Sequence, residues 1–128
     1  MRILLDTHVL IWLVEGDKNL STVARSTIED EDNSLYLSIA SLWEITIKLS
    51  LGKLDLQLSV DEMVESFLIP GGIEILQIET GHLSILRDLP LHHRDPFDRL
   101  IIAQAQAEKM TLISADGVFD LYDVDLRW

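Results

Sequence analysis

Apolar and polar positions follow two rhythms along this chain. Short apolar or alternating segments recur at Ile3–Leu5, Leu35–Ile39, Ile73–Ile78, Met110–Ser114 and Val124–Trp128. Runs of this length predict strands, the last of them short. Longer segments with helical spacing lie between them. Val9 to Val14 is apolar nearly all round and predicts a buried helix, while Ser21 to Glu31 predicts a polar surface helix. Ala40 to Leu51 has helical spacing, and Gly52 stands where a left-handed cap is expected. Ser59-Val60-Asp61-Glu62 is a capping box that opens a further helix, stopped by Pro70-Gly71-Gly72. A helix from about Thr80 to Arg87 leads into a loop rich in His and Pro. Asp95-Pro96 then supplies an acid at the N-cap and proline at the first helical position, and this helix runs to about Lys109.

Strands alternating with helices predict a three-layer α/β/α sandwich around a central, mostly parallel sheet of four to five strands. Crossovers in such a sheet are right-handed, and sites form beyond the carboxyl ends of its strands. That rule selects among the polar residues. Asp6 follows the first strand directly, and Asp116 follows the fourth. Glu44 lies in the first turns of the helix after Ser38, close to the same edge. Asp95 and Asp98 open the helix that returns to the fourth strand, so they belong to that edge too.

Composition narrows the chemistry. The 128 residues are 48% apolar and 25% charged, the values of a single globular domain spanning 1–128. The chain has no cysteine, which excludes disulfides, thiol catalysis and thiolate metal sites. The formal net charge of −12 argues against a general electrostatic grip on nucleic acid or an anionic membrane. The longest unbroken apolar run, Val9 to Val14, cannot span a bilayer, and the sequence reads as soluble and cytoplasmic. Carboxylates converging on one edge repel one another, and a divalent cation removes the conflict. Ligation by oxygen alone favours Mg²⁺ or Mn²⁺ over zinc. A cation held by few carboxylates keeps water and open positions, as phosphodiester hydrolysis requires.

Each acid also has a plainer reading. Asp6 could cap the next helix, and Glu44 could form an exposed ion pair with Lys48. Asp98 could complement a helix dipole, and Asp116-Gly117 could be a turn. His8 reads as a hydrogen-bonded structural residue, and His92-His93-Arg94 as a solvated loop. The run Glu29-Asp30-Glu31-Asp32 reads as a solvated helix end.

Taken together, Leu4-Leu5-Asp6-Thr7-His8, Ser41-Leu42-Trp43-Glu44-Ile45, His93-Arg94-Asp95-Pro96-Phe97-Asp98-Arg99 and Ser114-Ala115-Asp116 resemble a PIN-domain protein. The likeness is to the VapC toxins of bacterial toxin–antitoxin pairs, and it runs in order along nearly the whole chain. It implies a Rossmann-like sheet and a Mg²⁺- or Mn²⁺-dependent endoribonuclease. Asp6, Glu44 and Asp98 match the family's core acidic positions, and Asp116 a more variable one. Thr7 and Ser114 match hydroxyl positions beside the metal, while Asp95 reads as a helix cap. The resemblance also implies an RNA substrate, a homodimer and a cognate antitoxin whose tail crosses the acidic groove. The net charge sits awkwardly with RNA, so local cations near the motifs are the expected grip: Lys48, Lys53, Arg94 and Arg99. Two other readings compete. A catalytically inactive PIN-like interaction module would keep the fold without the chemistry. A phosphoacceptor domain would use a similar acidic pocket, but it wants a lysine after a late strand, and none follows Met110–Ser114.

Overall fold

A computed structural model describes residues 1–16 and 18–128. Its strands are β1 (Arg2–Leu5), β2 (Ser34–Ser38), β3 (Ile73–Leu76), β4 (Thr111–Ile113) and β5 (Leu126–Arg127). All pair in parallel, in the spatial order β3-β2-β1-β4-β5. The helices are α1 (Thr7–Glu15), α2 (Thr22–Glu29), α3 (Ile39–Ser50), α4 (Val60–Met63), α5 (Thr80–Asp88) and α6 (Pro96–Glu108). A π-helical turn over Val64–Leu68 extends α4, and a 3₁₀ turn over Gly117–Leu121 follows β4.

Period-two alternation in β1 divides the core. Ile3 and Leu5 pack with Val9, Leu37 and Ile45 on one face, whereas Leu4 packs with Ile101, Leu112 and Phe119 on the other. Ile3, Leu4 and Leu5 are fully buried, and each such side chain stabilises the fold by about 1.5–3 kcal/mol. The central strand is thus covered on both sides, as a parallel sheet requires. Among the described residues, no helix is long and apolar enough to cross a membrane.

Boundaries move where side chains intervene. Ile39 begins α3 rather than ending β2, because the Ser38 hydroxyl accepts the Ala40 N–H at 3.1 Å. Gln77 and Ile78 lie outside β3, and the Gln77 carbonyl accepts from the Gln104 side chain at 3.3 Å. Met110 lies outside β4 because its N–H closes α6 onto the Ala105 carbonyl at 2.9 Å. Gly52 adopts φ +68°, and the N–H groups of Gly52 and Lys53 bond the carbonyls of Leu49 and Lys48. The left-handed cap is the one the sequence predicts, and the paired bonds complete it. The capping box at Ser59 is present in both directions.

Candidate active site

Asp6 is fixed by the sheet. Its N–H donates to the Ile113 carbonyl at 3.0 Å, which extends the β1–β4 pairing past the last strand residue. Asp6 occupies the N-cap position of α1, yet its side chain makes no capping bond. Its Oδ2 accepts from the Ser114 hydroxyl at 2.8 Å, and its Oδ1 is buried without a partner. Ser114 Oγ also accepts the Asp116 N–H at 3.1 Å, so one hydroxyl links the ends of β1 and β4. Thr7 is buried and donates to Ser41 Oγ at 2.8 Å, tying α1 to α3.

Glu44 projects from the second turn of α3 and is buried. Lys48 Nζ lies 2.8 Å from its Oε2, while its Oε1 has no partner. The ion pair read from the i,i+4 spacing is therefore formed, on a largely buried acid. Asp98 is the third residue of α6. Asp95 caps this helix, its Oδ1 accepting the N–H groups of Phe97 and Asp98 at 2.9 and 3.0 Å. Asp98 thus keeps its own carboxyl free of capping duty. Asp116 is exposed, and its Oδ1 accepts the Val118 N–H at 3.0 Å to begin the 3₁₀ turn. The turn reading describes that contact.

Electrostatics connects these acids. Burial, then the charges of Asp95, Asp6, Glu44 and Asp116, push the Asp98 carboxyl up to about 8. Burial also raises Asp6, with Glu44 adding to the rise, against the Ser114 hydrogen bond and the charge of His8. The acids share one field, but they are not drawn together. Among the described residues, three potential ligand atoms lie within 4.8 Å of one another at Glu79, His82 and Glu108, and in no trio of these edge acids.

A buried carboxylate oxygen without a partner is costly. Asp6 Oδ1 and Glu44 Oε1 are two such atoms, in one field with an Asp98 carboxyl that burial, then the neighbouring acids, push up to about 8. Hard oxygen donors under mutual repulsion fit a small divalent cation. Asp6, Glu44 and Asp98 are the acids of this edge that could offer such donors, and Asp116 is an exposed acid in the same field.

The His-rich loop differs from its sequence reading. His93 is half-buried, with Nδ1 2.7 Å from the Tyr122 hydroxyl and Nε2 3.5 Å from Asp98 Oδ2. Tyr122 Oη also receives the backbone N–H groups of His92 and His93. No sequence motif joins Tyr122 to this loop or singles it out; an aromatic ring with a polar tip is the one signal that could have pointed to a buried partner. The cations are also reassigned. Arg99 spends its guanidinium on the carbonyls of Leu89 and Pro90, at 3.2 and 2.8 Å, and on Tyr122 Oη at 3.3 Å. It braces the loop rather than facing a ligand, and Lys48 is bound to Glu44. Lys53 and Arg94 remain exposed. His8 is exposed, with its ring 5.9 Å from that of Trp12.

Solved structures share this fold. The chain is similar to one in VapBC2 from Rickettsia felis bound to a promoter DNA fragment, at 18% identity and TM-score 0.75, covering 99% of this chain and 98% of that one. It is similar to one in FitAcB from Neisseria gonorrhoeae, at 22% identity and TM-score 0.67, covering 97% and 95%. It is similar to one in VapBC-1 from nontypeable Haemophilus influenzae, at 16% identity and TM-score 0.68, covering 99% and 97%. No curated protein sequence matches the chain. The PIN domain family model matches residues 3–125, from the central strand through the last acid-bearing turn, and the chain belongs to the PIN domain family.

Proposed function

We propose that this chain is a Mg²⁺- or Mn²⁺-dependent endoribonuclease, the toxin of a toxin–antitoxin pair. The observation that carries this reading is the pair of unpartnered buried oxygens, Asp6 Oδ1 and Glu44 Oε1, beside an Asp98 carboxyl raised to about 8. A fold without chemistry has no reason to keep such repulsion, because apolar residues of similar size would be more stable there. Asp6, Glu44 and Asp98 would hold the cation, which when bound polarises a phosphoryl oxygen and lowers the pKa of an attacking water. Ser114 fixes the Asp6 carboxylate through Oδ2 and leaves Oδ1 for that role. Asp95 orients the first turn of α6 and so aims Asp98.

The antitoxin partner rests on the VapBC and FitAB complexes among the structural relatives. An acidic groove suits a basic segment, and arginine fits it best because its fork can engage two carboxylate oxygens. The homodimer rests on the family resemblance.

The test combines calorimetry with cleavage. Mn²⁺ should bind the wild-type chain and raise its melting temperature, since a ligand of the folded state alone stabilises by about 2.7 kcal/mol at about a hundredfold excess over Kd. The same preparation should cleave RNA, and a chelator should stop it. Metal binding without cleavage of any RNA would leave the inactive interaction module as the better description.

A further inference from the structure

A chain of net charge −12 that acts on RNA gains from contacts that add to its few local cations without depending on charge. The candidate lies beside the acids. A hollow of about 250 Å³ is lined by Asp6, His8, Trp12, Ala115 and Asp116. His8 and Trp12 are four residues apart on α1, which places them on one helix face. Their rings are 5.9 Å apart at 44°, and Trp12 lies 5.6 Å from Trp128 at 54°. Trp12 and Trp128 both pack against the main core, so the platform is braced from behind, while His8 stands exposed at its mouth.

Charge decides what such a hollow can take. Asp6 and Asp116 form part of its wall, and no Lys or Arg lines it. A phosphate would meet two carboxylates there with only His8 to offset them, whereas a flat neutral ring meets no such repulsion. The lysines stand elsewhere: a second hollow of about 230 Å³ on the Glu44 side is lined by Lys48, Lys53, Asp95 and Phe97. The two hollows flank the acids, one offering ring faces and the other cations.

We propose that the His8–Trp12 hollow is a nucleobase subsite, holding an unpaired base of RNA next to the phosphodiester that faces the acids. This rests on the ribonuclease reading and adds how substrate is held. Stacking on aromatic side chains is tolerant of base identity, and it needs the base to be out of a duplex. The favoured substrate is therefore a single-stranded loop or end. Trp12 is the braced part of the platform, and His8 is the exposed ring at its mouth on which the base stacks.

The experiment measures affinity apart from chemistry. A labelled single-stranded 2′-O-methyl RNA, which cannot be cleaved, is titrated into the full chain and followed by anisotropy. A matched oligonucleotide lacking one base is run beside it, and cleavage of ordinary RNA by the wild type is measured in parallel. His8→Ala should weaken binding by about fivefold to tenfold, the loss expected for one stacked base. His8→Phe should restore most of that affinity, a rescue that depends on a ring and not on a charge. Trp12→Phe should fall between them, with its melting temperature checked because Trp12 is part of the packing. Removing the base should weaken wild type more than it weakens His8→Ala, which has already lost one of the two rings. Raising salt should weaken all the proteins in parallel, because no phosphate contact is removed.

Wild-type affinity in His8→Ala, with cleavage by the wild type intact, would overturn the subsite and leave the ribonuclease reading standing. A wild type that neither binds nor cleaves RNA would overturn both. Unchanged RNA affinity in His8→Ala with weakened binding of a tryptophan-containing peptide would give the hollow to a protein side chain, and would overturn the proposal.

Discussion

The two ends of α6 carry similar side chains in opposite circumstances. At its C-terminal end Glu108 meets His82 at 2.9 Å, and Arg2 donates to the Glu108 carbonyl at 2.7 Å. His82 Nδ1 accepts the Glu79 N–H at 3.0 Å, completing a helix cap with histidine in the third position. Three potential ligand atoms converge there within 4.8 Å, yet the imidazole has both nitrogens engaged. About 15 Å along the helix, Asp98 has His93 Nε2 at 3.5 Å but lies in the field of other acids, with unpartnered oxygens on Asp6 and Glu44. Proximity of ligand atoms therefore marks the satisfied cluster, and frustration marks the candidate site. The unpartnered atom near His82, Gln104 Oε1, belongs to a neutral amide and brings no repulsion.

The largest expected effect separates the two ends by activity. Asp98→Asn should lower metal-dependent RNA cleavage by about a hundredfold or more, because it removes a ligand charge where phosphoryl polarisation supplies most of the rate. Glu108→Gln should leave cleavage within about twofold and should lower stability by about 1–2 kcal/mol, the loss of charge-assisted hydrogen bonds. Rates and melting temperatures measured on the same preparations check both. Equal loss of cleavage in the two variants would break the comparison.

How much of this was legible in the sequence depends on the range of the interaction. Strand runs, the capping box at Ser59 and the Gly52 ending are local, and all appear, the capping box and the glycine at the predicted residues and the strands with shifted or shorter bounds. The acids reach one edge because parallel topology sends every strand end there, so Asp6 and Asp116 could be placed by strand position alone. Contacts between distant segments left no pattern. Tyr122 sits 29 residues from His93 and organises it, and Arg99 turns inward to carbonyls that any residue could have presented. His82 lies 26 residues from Glu108, and nothing in either neighbourhood announces the pair.

A second, smaller difference should appear in the pH dependence of stability. Folding raises Asp98 to about 8, against about 3.9 for an unfolded aspartate. Between those values the folded chain holds a proton that the unfolded chain has released. Metal-free stability should therefore fall as pH rises from about 4 to about 8, and Asp98→Asn should flatten that slope. Glu108 has the opposite sign. The His82 hydrogen bond, with help from Arg2, lowers it below the ordinary 4.5. Its contribution is present above about 4.5 and is lost as pH falls below that value, so Glu108→Gln should change only the acid limb. Denaturant titrations of the metal-free proteins across the two ranges check both slopes. A wild-type slope unchanged by Asp98→Asn would show that the acids do not share a field.

The smallest effect compares two aspartates at equivalent helix positions. Asp6 and Asp95 both stand at N-caps, of α1 and α6, and only Asp95 uses its side chain to cap. Asp95→Ala should cost about 1 kcal/mol, the usual loss when a capping oxygen is removed. Asp6→Asn loses no cap, and an asparagine oxygen can still accept from Ser114. It also removes a charge that burial and Glu44 both oppose. The metal-free Asp6→Asn protein should therefore unfold at the same denaturant concentration as wild type or a higher one, while its response to Mn²⁺ is lost. Asp95→Ala should keep that response with only modestly weaker metal binding, because Asp98 retains its carboxyl but loses part of the turn that aims it. Denaturation with and without Mn²⁺ gives both numbers for each protein. A destabilised Asp6→Asn with an intact Mn²⁺ response would make Asp6 a structural residue like Asp95, and would remove the distinction between frustrated and satisfied acids on which the site assignment depends.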